Sequence, residues 1–504
     1  MNYHQTSARM RLSMIRPAII ILLIGIFASS GCHTDPKSSA LVEKREPVIE
    51  PDYSGVTVPH NMAPMNFSIL ETGIHFTIRS IPSSGHASFV LKSRDGKVRF
   101  PKKKWGAMLS ENKGKSVKFE VTAKLEGGER ITYDPISMHI SNESIDPYLC
   151  YRMLYPGYES WSGMQIIQRS LEDFSESSIF ENQLLEGNCM NCHTFLNQNP
   201  EEFLIHVRGS LNGTYFVDGE DITRRNLRTE NMIANAVYPA WHPEGRYVVF
   251  SSNEVLQVIH MMPGKRNEFF DRSSKLLIFD SDMNAMKEIG ENDSTEYMGT
   301  FPCWSPDGTY LYYCRTKQLE GAFDLTKQKY DLARRSFDQE SGLFGHVEIV
   351  LDAQETGKSI SLPEISPDGK TLVFVMHDYG TSPIWHKEAD LAILNLNDGK
   401  FGIMDLNSSE AESYHTWSSN GKWIVFSSKR GDGITARPYF AYFGSPDEVG
   451  KPFVLPQKDP TLYKRLDKTF NRPEFVTGKI RVGPRDFAAA SRKDPVHANW
   501  SDNE

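Results

Sequence analysis

Gly187–Phe195 reads Gly-Asn-Cys-Met-Asn-Cys-His-Thr-Phe, and its residue types can do chemistry. Cys189 and Cys192 flank two residues and His193 follows at once, the spacing Cys-x-x-Cys-His. Two thiols so spaced on one turn can reach the two vinyl groups of a haem, and the adjacent imidazole then lies beneath the iron as its proximal ligand. With 6 Cys and 15 His in 504 residues, chance yields roughly 0.002 such matches. Other uses of a cysteine pair stay open: a redox dithiol, a metal site or unmodified thiols. A tetrahedral zinc site needs four ligands. His206 lies at a finger-like distance, but positions 210–212 are Ser-Leu-Asn and supply no fourth. A redox dithiol wants a βαβ setting, whereas the flanks here read as a loop between short helices.

The motif resembles cytochrome c attachment sites over these few residues alone. That resemblance implies one covalent haem c held by Cys189 and Cys192, with His193 on the iron. Candidates for the opposite axial position are His206, His242, His260, Met261, Met262 and Met232, and Arg208 is a candidate partner for a haem propionate.

Arg9, Arg11 and Arg16 precede an apolar run, Ala18–Ala28, too short to span a bilayer and suited to a signal peptide. Ser29-Ser30-Gly31-Cys32 resembles a bacterial lipoprotein cleavage site, which implies lipidation at Cys32. An ordinary cleaved signal is the alternative. Residues 1–31 are thus the expected signal and 32–52 a polar tether, placing the body in the cell envelope, on the periplasmic side of the outer membrane or at the cell surface. Thioether formation in bacteria is likewise extracytoplasmic. Cys150, Cys303 and Cys314 remain, an odd number that excludes a disulfide scaffold. Net charge is −8, with no basic cluster beyond Lys102-Lys103-Lys104, which reads as a solvated strand end. Nucleic acid is thereby excluded as a partner.

Residues 53–145 carry short alternating segments broken by Gly-containing turns, as in Val117-Lys118-Phe119-Glu120-Val121. They predict an immunoglobulin-like β-sandwich.

Residues 146–500 repeat. Tyr238-Pro239-Ala240-Trp241-His242-Pro243-Glu244-Gly245 is echoed by Phe301-Pro302-Cys303-Trp304-Ser305-Pro306-Asp307-Gly308. Further copies begin at Leu362 and Tyr414, and a weaker one covers 210–216. Each is a strand, a Gly-bearing turn and a second strand. These repeats resemble the PD40 (WD40-like) units of TolB-like propellers over roughly 235–430, which implies an all-β protein with a six- or seven-bladed β-propeller. The segments 148–171 and 434–485 are expected to complete the ring. Trp241, Trp304 and Trp417 are expected in blade cores. The haem motif is expected in an insertion, 172–204, decorating one face.

Two functions follow as expectations. The first is a membrane-anchored monohaem carrier, redox subunit or sensor working with exported redox or envelope proteins. The second is a protein- or glycan-binding platform without redox turnover. No Gly-x-Ser-x-Gly elbow is present, and Asp307, Asp368 and Glu244 are turn formers without a catalytic role.

Overall fold

The computed structural model describes residues 41–156, 163–258, 267–290, 296–319 and 324–501. The signal segment, Cys32, His260, Met261 and Met262 lie outside the described residues. No helix among those described is long and apolar enough to cross a membrane.

Six sheets form the propeller. Blade 1 joins the two ends of the ring: Tyr148–Leu154, Gln165–Ser170 and Glu176–Glu181 pair outward from Thr469–Val476, the innermost strand. The innermost strands of blades 2 to 6 are Cys189–Phe195, Ala236–Trp241, Tyr297–Trp304, Ser359–Ile365 and Glu412–Trp417. The C-terminal tail then adds short parallel strands to the outer edges of blades 2 and 3.

Pro-Asp-Gly type turns close the inner hairpins. Gly245, Gly308, Gly369 and Gly421 all sit at φ of 65 to 86°, a conformation open to glycine at little cost. At Gly308 space matters too, because a Cβ there would collide with His242 Nε2.

The segment 172–204 is part of the ring and does not decorate it. It supplies the outer strand of blade 1 and the innermost strand of blade 2. Its turn hides the repeat, because Leu196–Gln198 bends without glycine, with Asn197 and Gln198 in the left-handed region. The weak copy at 210–216 belongs to the next hairpin along, between Glu202–Arg208 and Gly213–Asp218.

The N-terminal domain begins before residue 53. Leu41–Glu43 and Ile49–Glu50 both pair into its sheets, which shortens the expected tether. It contains a seven-stranded sheet with two parallel pairings and a three-stranded sheet. Its helix, Lys102–Glu111, buries Trp105, Met108 and Leu109. The lysine run therefore opens a helix and is not a strand end. One apolar cluster runs without a break from Phe119 and Trp105 into Trp423, Phe440 and Phe475 of the propeller. The five described cysteines are free.

Candidate functional site

Five of the six inner strands break their ladder at the same place. In the blade 2 strand the break falls one residue earlier, at Asn191. Tyr238, Phe301, Leu362, Tyr414 and Arg472 adopt φ of 47 to 54° at the bulge. Left-handed backbone costs a non-glycine residue roughly 1–2 kcal/mol, and five repeats of it mark a feature that the surrounding fold over-determines. These five side chains line the axial cavity. Cys192-His193-Thr194-Phe195 aligns with Tyr414-His415-Thr416-Trp417, so Cys192 is the sixth member of this layer. Contacts across blades agree: Arg472 Nη1 lies 3.9 Å from Cys192 Sγ, and the rings of Tyr238 and Phe301 are 4.6 Å apart.

Two residues further along, a second layer faces the same cavity: Thr194, Ala240, Cys303, Glu364, Thr416 and Glu474. The cavity measures about 530 Å3, within the range of small-molecule sites. Glu474 Oε1 accepts the Phe195 N–H at 2.9 Å, while Oε2 stands 3.9 Å from His193 Nε2. Burial pushes the Glu474 carboxyl up to about 7. Burial, reinforced by Glu474, pushes Glu364 up to about 8. Neither glutamate was foreseen from the sequence. The signal was there, since Leu362-Pro363-Glu364 and Arg472-Pro473-Glu474 carry an acid where the other aligned strands have Ala, Cys or Thr.

The motif lies on the innermost strand of blade 2, with Cys189 6%, Cys192 2% and His193 1% exposed. The bulge between Met190 and Cys192 resets the strand's alternation. Cys189 is opposite Arg208 and Cys192 opposite His206, so both cysteines share one face. His193 takes the other face, towards Glu474 of blade 1. Burial, with Arg472 and Arg152 nearby, lowers its pKa to about 3, and both ring nitrogens lack a hydrogen-bond partner. His193 is therefore neutral and its contact with Glu474 is no ion pair. A neutral imidazole with a free lone pair is the form that binds a metal.

The structure sorts the remaining candidates. His242 Nε2–H donates to Gly308 O at 3.2 Å and the ring packs on Trp304, so it ties blade 3 to blade 4 and is removed as an iron ligand. Met232 is buried with Leu204, Leu227 and Phe250, likewise away from the motif. His206 stays beside it, with Nδ1 3.2 Å from Thr214 Oγ1 and Nε2 buried without a partner. Arg208 adds positive charge at Cys189, against the larger effect of burial, which raises that thiol's pKa. Trp304 and Trp417 are buried as expected, whereas Trp241 is only half-buried.

A third buried acid, Asp271, lies near Tyr238 and accepts the Tyr330 hydroxyl at 3.1 Å. Burial raises it from 3.8 to about 7. A carboxyl raised on folding stabilises the fold fully below its unfolded value, and that contribution is lost as pH rises through the folded value. Asp271→Asn should therefore match wild type near pH 4 and gain on it by roughly 2–3 kcal/mol between about pH 5 and pH 8. Urea unfolding at the three pH values checks this.

The fold and site together define a six-bladed β-propeller with an axial cavity. No protein-family model matches the chain, and no curated protein matches it. Among solved structures it is similar to a nidogen/laminin complex, with 8% identity over 66% of this chain and 100% of that chain and a TM-score of 0.40. It is also similar to the β-propeller domain of the Trilobed protease from Pyrococcus furiosus (11%, 67% and 90%, TM-score 0.32). A third likeness is to Kuenenia stuttgartiensis hydrazine synthase (15%, 51% and 64%, TM-score 0.32). Likenesses this distant carry no inference about ligand or activity.

Proposed function

We propose that the chain is a membrane-anchored propeller carrying one haem c, joined by thioethers at Cys189 and Cys192 and ligated by His193, that exchanges single electrons with other envelope proteins. The observation that carries this reading is the buried His193 imidazole, neutral and with neither nitrogen satisfied, next in the chain to two free thiols that share the opposite face of its strand. Arg152, Arg208 and Arg472 surround the motif with the positive charge that propionates need. When bound, the group supplies reversible one-electron chemistry. The chain's own residues set its burial and axial ligation.

The fit in orientation is partial. His193 faces away from the thiols, and the space beside Cys189, about 90 Å3, is smaller than a porphyrin. Attachment would require the lining of that space, which includes Tyr155, Trp385 and Lys429, to give way. Lipidation at Cys32 completes the reading and rests on the sequence alone.

Intact-mass analysis of protein matured with the haem-attachment machinery tests it. The expected mass is that of the processed chain plus one haem, with a Soret band that survives acid-acetone extraction. An unmodified mass sinks the proposal.

A further inference from the structure

We propose that the axial cavity is a binding site for a small organic cation, an alkylammonium or guanidinium group on a short aliphatic stem, held by the carboxylates of Glu364 and Glu474. Glu364 carries the argument. Its side chain faces the cavity and has no hydrogen-bond partner among the described residues, whereas Glu474 is already held by Phe195 and Thr194. A carboxylate withdrawn from bulk water and left without donors is costly, and a cation with several N–H groups relieves that cost.

The wall fits the same chemistry. Tyr238 and Trp304 offer aromatic surface to a cationic head and its stem. Arg472 lines the cavity too and favours the charged form of both glutamates. It is shared with Cys192 and the face of Tyr414, however, and one guanidinium cannot neutralise two carboxylates. An anion would meet both acids at the same depth. A hard divalent ion wants six or more oxygens, and among the described residues no three His, Cys, Asp or Glu side chains are grouped to hold a metal.

This site does not depend on the haem reading, and colourless protein is sufficient to test it. Work at about pH 9, where both acids are ionised and the probes are still cationic. Titrate the mature chain calorimetrically with agmatine, cadaverine and butylguanidinium, and in parallel with pentanol, glutarate and calcium. Saturable binding of at least one cationic probe is expected, with no heat from the other three. Glu364→Gln, isosteric and uncharged, should weaken that binding at least about tenfold while leaving the circular dichroism and melting temperature near wild type. Should Glu364→Gln unfold the chain, Glu364→Asp provides the second reading, with intermediate affinity expected. The proposal is overturned if no cationic probe binds below ~10 mM, if Glu364→Gln binds as wild type does, or if calcium or pentanol binds equally well.

Discussion

If the proposed haem c is attached, replacing Cys189 and Cys192 together by serine should remove the covalent chromophore and leave the propeller standing. Serine occupies nearly the thiol's volume, so the inner strand keeps its register, and the far-ultraviolet circular dichroism should match wild type. In protein matured alongside haem-attachment machinery, the Soret band retained after acid-acetone extraction should fall to background. His193→Met is the sharper companion. It keeps the thioethers and hence the added mass, but changes the iron's ligand, and a thioether ligand raises the reduction potential. His206→Ala, on the thiols' own face, separates two versions of the reading. An unchanged spectrum leaves His193 as the axial ligand, whereas a spectral shift assigns His206 to the iron. If the double serine variant retains extraction-resistant colour, the haem is not held by this motif.

Trp423→Ala should cost about 3–5 kcal/mol, the largest stability loss expected of any single substitution considered. Trp423 is fully buried in the cluster shared by the N-terminal domain and blade 6, meets the Tyr442 ring edge-to-face at 5.3 Å, and donates its indole N–H to Ser144 O at 2.9 Å. Truncation opens a cavity and removes one of the two donors to that carbonyl, the Asn420 side-chain amide at 2.8 Å remaining. Because one core serves both parts, wild type should unfold in urea as a single transition, and Trp423→Ala should shift its midpoint without splitting it. Two separate transitions in wild type would show that the shared core does not couple the domains. Trp423→Phe should lose less, since most of the packing survives and only the hydrogen bond goes.

The propeller was legible in the sequence because its turns are chemically explicit. Pro306-Asp307-Gly308 and its relatives fix the hairpins through positive φ and through Asp side chains that accept their own turn's donors, as Asp307 does from Thr309 N–H at 3.0 Å. Blade 2 escaped notice where that chemistry is absent. Leu196–Gln198 turns the chain without a glycine, so its strands looked like an insertion. The haem motif was legible as spacing, but spacing says nothing of secondary structure. On a strand, residues 192 and 193 point oppositely, where a helical turn would bring 189, 192 and 193 to one side. The cavity acids were missed because a lone Pro-Glu carries no signal until the strands are aligned by their bulges. The parallel pairings of the N-terminal domain, Leu41–Glu43 on Arg130–Tyr133 and Val56–Val58 on Ile136–Ile140, join segments too far apart in sequence for local alternation to reveal.

Thr469–Val476 closes blade 1 from the far end of the chain, and this has a bearing on timing. A polypeptide is synthesised from its N-terminus, so thiols 189 and 192 emerge long before the strand that seals the ring beside them. During that interval the motif is bare; afterwards almost none of it can be touched from solvent. An enzyme that modified those sulfurs would have its freest access to a nascent, unlatched chain. Arrival of the last blade strand ends that freedom.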